Sequence, residues 1–135
     1  MGRKVEYMRA LIPVFARLNR FSSEEELTDA EDRLCVAVGD TNFRMTRKSQ
    51  HHTHHYARSL DAAVMMLQRQ ASWLFPVVDF SDQTVRLVNG MGLPVAGKDH
   101  CSEADTMPVA LCLAILRALV DAEDREAAAI RESQA

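Results

Sequence analysis

The first 40 residues alternate apolar and polar positions with helical spacing. The apolar members of the first stripe lie three or four residues apart: Val5, Met8, Leu11, Ile12, Phe15 and Leu18. This spacing predicts an amphipathic helix. Because Pro13 lies inside the stripe, we expect the helix to be kinked or to begin near that residue.

A second helix is predicted to begin at Ser22 or Ser23. Ser23 and Glu26 have the spacing of a capping box, in which each side chain accepts from the other residue's backbone N–H. Gly39 follows the last apolar position and is typical of a left-handed helix end. Two amphipathic helices joined by a short polar turn predict a helical hairpin.

The rest of the chain contains two further helices separated by strand-like segments. Ser59 is placed to cap the third helix, and either Asp105 or Thr106 to cap the last one. Between these helices, residues 73–80 and 84–88 are rich in aromatic and β-branched residues, which predicts a β-hairpin. A third short strand is predicted over residues 93–96, and residues 97–103 are expected to form a loop.

The order of these elements predicts an α+β domain. Its N-terminal helical hairpin is followed by α-β-β(-β)-α, with helices covering one face of a small antiparallel sheet. We expect the third and last helices to supply that cover. Three segments compose the one compact domain: the hairpin over 1–40, a basic histidine-rich loop over 41–58 and the core over 59–135.

Composition favours a soluble cytoplasmic protein that does not enter a membrane. The chain has 135 residues, of which 47% are hydrophobic, and its net charge is -3, as in one globular domain. No apolar run approaches the ~20 residues of a membrane span. The cysteines are odd in number, and Cys35 and Cys112 fall within apolar helical patterns. We therefore expect these two to be small buried side chains without disulfides.

Basic residues concentrate in one segment of this mildly acidic chain. Residues 41–60 contain no acidic residue, whereas residues 121–132 are rich in acids. We expect both segments to form contact surfaces. The candidate binding residues are the cations and histidines of the basic segment: Arg44, Arg47, Lys48, His51, His52, His54, His55 and Arg58.

This segment supports two alternatives to protein binding. Four positive charges and four histidines could contact phosphates, as in a nucleic-acid-binding regulator that uses residues 44–58. The histidines could instead ligate a metal: His51, His52, His54 and His55. Their spacing matches no ordered metal motif and no carboxylate lies among them, so the sequence identifies no particular metal.

The sequence offers little that is typical of an enzyme. A phosphate-binding glycine pattern is missing, because residues 89–92 fit a turn at the end of a strand. His100 and Cys101 are adjacent, and neighbouring residues rarely aim at one another as base and nucleophile. We therefore expect no catalytic residue and no cofactor.

Residues 56–63 read YARSLDAA, Trp73 follows, and residues 104–118 read ADTMPVALCLAILRA. With these motifs, part of the chain resembles a family of small uncharacterised bacteriophage and prophage proteins. The family has a Y-x-x-S-L-D-A-A helix start, a tryptophan-containing strand and a T-P-A-L-A-L-C final helix. The resemblance covers residues 56–120, and QRQ replaces the family's usual Val-Pro at residues 68–70.

This resemblance implies a phage accessory protein that acts in the cytoplasm of a bacterial host. Such proteins often bind and inhibit host defence complexes, so we expect an anti-CRISPR-like inhibitor whose partner is a host protein or complex. A nucleic-acid-binding regulator is the second hypothesis, and a small metal-dependent enzyme is the third. The methionines of the third helix, Met65 and Met66, leave a homodimer as a further alternative.

Overall fold

The computed structural model describes residues 4–40, 55–91 and 100–134. These residues form an α+β fold, as the element order predicts. The elements in chain order are α1 (Val5–Arg17), α2 (Glu24–Val38), α3 (Leu60–Gln70), β1 (Phe75–Asp79), β2 (Thr84–Val88), β3 (His100–Glu103) and α4 (Met107–Gln134).

Helix α4 is the centre of the fold. The first half of this helix is apolar on every side, which is typical of a helix buried all round, and its buried residues are Met107, residues 109–116 and residues 118–120. Helices α1 and α3 and strands β2 and β3 pack around it. Beyond Val120 the helix is charged and mostly exposed. Within the described ranges, no helix combines the length and the apolar character that crossing a membrane requires.

The predicted helical hairpin is confirmed. The backbone N–H of Lys4 donates to the carbonyl of Ala37 at 2.8 Å, which joins the start of α1 to the end of α2 and makes the helices antiparallel. Ser23 and Glu26 form the capping box. Gly39 ends α2 with a φ of 71°, the left-handed conformation that glycine adopts without a Cβ clash.

Helix α1 does not begin near Pro13. It begins at Val5 and continues through the proline to Arg17. A proline inside a helix removes one backbone hydrogen bond. Here the loss is offset by the burial of Met8 and Phe15, both 0% exposed, on the face that packs against α4.

The sheet has three antiparallel strands in the order β1-β2-β3. The predicted hairpin is present, with Phe75 opposite Val88 and Asp79 opposite Thr84. The prediction of a loop over 97–103 is wrong for its last four residues, because β3 pairs with β2 there. That pairing joins distant parts of the chain, so local sequence does not encode it. The strand predicted over 93–96 lies outside the described residues.

Helix α4 covers the inner face of the sheet, on which Val85 and Leu87 are both 0% exposed. Helix α3 packs against α4, and its buried residues belong to the same core as Val85 and Leu87; its share in covering the sheet stays a prediction. One long buried helix is enough to cover three strands of four or five residues. On the outer face, Phe75, Val77, Asp79 and Arg86 are exposed, whereas Val88, opposite Phe75, is only 6% exposed.

Two largely exposed ion pairs connect the region of α1 to that of α4. Arg20 donates through its backbone N–H, Nε and Nη2 to the carboxylate of Asp105, just before α4. At the other end, Arg9 Nη2 donates to Asp124 Oδ1 at 2.8 Å. Asp105 is therefore bound to Arg20 and does not cap α4 as predicted. Thr106 precedes the first helical residue, and its buried hydroxyl has no hydrogen-bond partner among the described residues.

We expect the Arg20–Asp105 contact to make the free energy of unfolding depend on pH in the acidic range. Hydrogen bonds from Arg20 lower the pKa of Asp105 below 3.8, so the folded state favours the ionised carboxylate. Its stabilising contribution is complete above the unfolded-state pKa and is lost as the pH falls through the lowered folded-state pKa. Urea unfolding between about pH 5 and pH 2.5 should show a smaller decline for Asp105→Asn than for the unaltered protein. Asp61→Asn, at an exposed carboxylate, is the control; equal declines for all three proteins would contradict the prediction.

Candidate functional site

The structure describes two of the eight predicted binding residues, His55 and Arg58. The other six lie outside the described residues: Arg44, Arg47, Lys48, His51, His52 and His54. His55 is half-buried, and its carbonyl accepts from the backbone N–H groups of Arg58 and Ser59 at 3.1 Å and 2.9 Å. The structure therefore brings His55 and Arg58 together in one tight turn at the start of α3.

Arg58 is directed onto α2. Its Nη2 donates to Glu31 Oε1 at 2.5 Å and its Nε to Glu31 Oε2 at 3.4 Å. Glu31 is 0% exposed and also accepts from the backbone N–H of Ala57 at 2.9 Å. The hydrogen bond to Glu31 raises the pKa of Arg58. This guanidinium anchors the turn to α2, and its contact with a partner stays a prediction.

A second buried carboxylate lies just after α2. Asp40 is 6% exposed, and it accepts from Arg69 Nε at 3.1 Å through Oδ1 and from Arg69 Nη2 at 2.6 Å through Oδ2. Tyr56 donates its hydroxyl to the same Oδ2 at 2.6 Å. Burial raises the pKa of Tyr56 far above its ordinary value, and the bond to Asp40 adds to the effect. The phenol therefore remains a hydrogen-bond donor.

Two buried thiols complete the surroundings of these carboxylates. Cys35 donates to the carbonyl of Asp40 at 3.1 Å, and Cys112 donates to the carbonyl of Tyr56 at 3.3 Å. Burial raises the pKa of both thiols. The prediction that both cysteines are small buried side chains is confirmed.

We call these five polar side chains the clasp: Glu31, Asp40, Tyr56, Arg58 and Arg69. In the clasp, two carboxylates that precede residues 41–54 are bound by two arginines that follow them. The chain positions just before and just after residues 41–54 are thereby held against the core. Glu31 lies one turn after Leu27 and one residue after buried Ala30, on the apolar side of α2. A carboxylate at an apolar position of a helix is the sequence signal that could have identified it. Nothing local marks its pairing with Arg58.

The second candidate feature is the outer face of the sheet. Side chains of Phe75 and Val77 point to this face and are 51% and 43% exposed. Arg86, opposite Val77 in the register, is exposed beside them. Met91 follows Gly90, and the Phe75 ring lies next to Gly90, where an added Cβ would meet the ring at 3.8 Å.

Sequence patterning predicted these strands but not which face would be open. Trp73, two residues before β1, is 53% exposed and Met91 is 83% exposed. Single exposed apolar residues are common, whereas two neighbours on one face of a sheet, Phe75 and Val77, favour an interaction surface. We use the name outer sheet face for Phe75, Val77 and Arg86.

The side chains that the structure describes form no candidate metal site, and comparisons with known proteins suggest no other site. The structure does not describe the side chains of His100, Cys101 and Glu103 in β3. Among the side chains that it describes within residues 4–40, 55–91 and 100–134, no three from His, Cys, Asp or Glu lie close enough to share a metal ion. Comparisons of the chain with protein-family models, curated proteins and solved structures find no match. The functional argument therefore depends on the geometry of this molecule.

We expect the clasp to contribute strongly to stability. Glu31→Gln removes the charge that faces Arg58, so the free energy of unfolding should fall by about 2 kcal/mol. This is less than the ~3–5 kcal/mol of fully buried pairs, because the Arg58 side chain is 26% exposed.

The matched control is Asp29→Asn on the same helix. Asp29 pairs with Arg33 four residues on, and both side chains are more than half exposed. Its loss should cost no more than about 0.5 kcal/mol. Urea unfolding measures both variants, and equal losses would show that burial of Glu31 does not strengthen its pair.

We expect the buried thiols to be unreactive in the folded protein. Alkylation requires the thiolate, and burial disfavours that form at Cys35 and Cys112. Iodoacetamide at neutral pH followed by peptide mass mapping should find both unmodified in buffer and both modified in concentrated urea. Modification of either in buffer at the rate of free cysteine would contradict the structure.

Proposed function

We propose that this protein is a phage or prophage accessory protein that binds a host protein complex and inhibits it by steric occlusion. It acts in the cytoplasm of the bacterial host and contacts its target through the outer sheet face. The proposal joins the sequence resemblance to one structural observation, the half-exposed aromatic and aliphatic side chains on the uncovered side of the sheet.

The composition of this surface favours a protein target. Aromatic residues, methionine and arginine are enriched at protein–protein interfaces, and tryptophan and arginine are frequent among the residues that dominate binding energy. The outer sheet face combines Phe75, Val77 and Arg86, with exposed Trp73 and Met91 next to it in the chain. A β-sheet also presents these side chains on a rigid backbone, which reduces the entropy lost on binding.

The interior chemistry is consistent with binding rather than catalysis. The buried carboxylates of the clasp accept from arginines and from Tyr56, and the two buried thiols donate to backbone carbonyls. These groups stabilise the fold, and their hydrogen-bonding capacity is used within it.

The basic segment gives the proposed inhibitor a second means of recognition. Residues 41–54 include Arg44, Arg47 and Lys48, and the clasp holds the chain on both sides of them. These charges would speed association with an acidic target surface.

The test compares two phenylalanines of similar chemistry and different position. Phe75→Ser alters the outer sheet face, whereas Phe21→Ser alters the α1–α2 turn, where Phe21 is 88% exposed. The unaltered chain and both variants are used as baits in host lysate, and the recovered complex is purified for affinity measurements. Phe75→Ser should weaken binding about 30-fold, as expected for a central interface residue, and Phe21→Ser less than about threefold.

A second measurement connects binding to inhibition. In a host that carries the target defence system, the unaltered protein and Phe21→Ser should protect infecting phage, and Phe75→Ser should not. Thermal unfolding of each variant controls for stability. Equal binding by both variants, or recovery of nucleic acid without a protein, would contradict the proposal.

A further inference from the structure

Strand β1 is an edge of the sheet. The strand order β1-β2-β3 gives β1 a hydrogen-bonded neighbour on one side only, and α4 packs beneath β2 and β3. Among the described residues, no backbone hydrogen bond other than the β1–β2 ladder reaches residues 75–79. The other side of β1 is therefore free, and a free edge strand offers its unpaired N–H and C=O groups to another strand.

The register of the sheet determines which backbone groups of β1 face this edge. In an antiparallel sheet, successive residues of a central strand direct both backbone groups alternately to one neighbouring strand and to the other. Just before β2, the carbonyl of Gln83 accepts from the backbone N–H of Ala104, which directly follows β3, at 3.3 Å. The odd-numbered residues of β2 therefore face β3, and the even-numbered ones face β1.

Pro76 and Val78 direct their backbone groups to the free edge. They lie opposite Leu87 and Val85, the β2 residues that bond to β3, and the other three residues of β1 bond to β2. Because proline has no N–H, the free edge offers two carbonyls and a single donor, the N–H of Val78. The edge of β1 therefore lacks the donor that a continuous ladder would use at residue 76.

Two copies of the chain meet at this edge if β1 pairs with β1. The antiparallel register that uses all five residues has a two-fold axis at Val77. It places Val77, which is 43% exposed on the outer face, against the same side chain of the second copy, and it sets Pro76 opposite Val78. With proline, that dimer has two hydrogen bonds between chains, from each Val78 N–H to the other Pro76 carbonyl, whereas an amide at residue 76 would give four.

The side chains around the edge favour such pairing wherever the backbone allows it. Four large apolar residues lie in or beside β1 and are 43–65% exposed: Trp73, Phe75, Val77 and Phe80. Exposed apolar edge strands promote self-association, and proline on an edge is one of the means by which sheets avoid it. Proline costs the β1–β2 ladder nothing at residue 76, because the missing N–H would point away from β2.

We infer that Pro76 keeps the protein monomeric by removing the amide through which the free edge of β1 would pair with a second copy of the chain. The outer sheet face is thereby left accessible, since a β1–β1 dimer would cover Val77. The inference goes beyond the proposed inhibitor and is independent of it, because it concerns self-association alone.

The test restores the amide with Pro76→Val in the full 135-residue chain. The matched control combines Pro76→Val with Val78→Pro, which keeps the composition of β1 and moves the proline to the other position whose backbone faces the free edge. Sedimentation equilibrium up to about 1 mM detects weak dimers, and thermal unfolding confirms that each variant is folded. The unaltered chain and the control should be monomers, and Pro76→Val should dimerise at least about 30-fold more tightly, as expected for two added hydrogen bonds.

Amide hydrogen exchange of the unaltered chain tests the geometry without a substitution. The N–H of Val78 should exchange at least about tenfold faster than those of Val77 and Asp79, because the latter two bond to β2. In the Pro76→Val dimer, the N–H of Val78 should become protected, since it then donates to the second chain.

Four results would overturn the inference. A dimer of the unaltered chain, through β1 or any other surface, would show that the proline does not keep it monomeric. A monomeric Pro76→Val would show that the missing amide does not limit pairing. Dimers of the control as stable as those of Pro76→Val would assign the effect to side chains, and slow exchange of Val78 in the unaltered chain would show that the edge is already paired.

Discussion

The clasp joins two buried carboxylates, Glu31 and Asp40, to arginines that follow residues 41–54 in the chain, Arg58 and Arg69. Glu31 is completely buried, and without Arg58 and the backbone N–H of Ala57 its charge would be left without compensation. The charge of buried Asp40 is likewise compensated by hydrogen bonds from Arg69 and Tyr56. Because each pair joins the end of the helical hairpin to the region around α3, the clasp adds a second connection to the one made by the packing of α1 on α4. A buried pair of this kind is costly to break, which ties the two halves together more firmly than exposed ion pairs could.

Helix α4 provides the central apolar packing surface of the fold, in addition to the buried polar contacts of the clasp. Its first half is buried on every side, so α1, α3 and the sheet can all pack against one element. The same arrangement explains the open surface of the sheet. A three-stranded sheet has two faces, and α4 covers the inner one, which leaves Phe75 and Val77 toward solvent. The proposed protein-binding surface is thus a consequence of how the core is built, and its rigidity comes from the strands that carry it.

The sequence by itself determined the elements whose signals are local. The capping box at Ser23, the left-handed end at Gly39 and the alternation in the β-hairpin depend on residues close together in the chain, so they were predictable. Only the tertiary structure decided the features that join distant residues. These are the passage of α1 through Pro13, the β2–β3 pairing, the binding of Asp105 by Arg20, and the anchoring of Arg58 to Glu31. The charge of Arg58 predicts a binding residue, whereas its place in the clasp could not be predicted because its partner, Glu31, lies 27 residues away in the chain. Periodicity reports which residues are apolar, but packing decides which face is covered and which remains open to a partner.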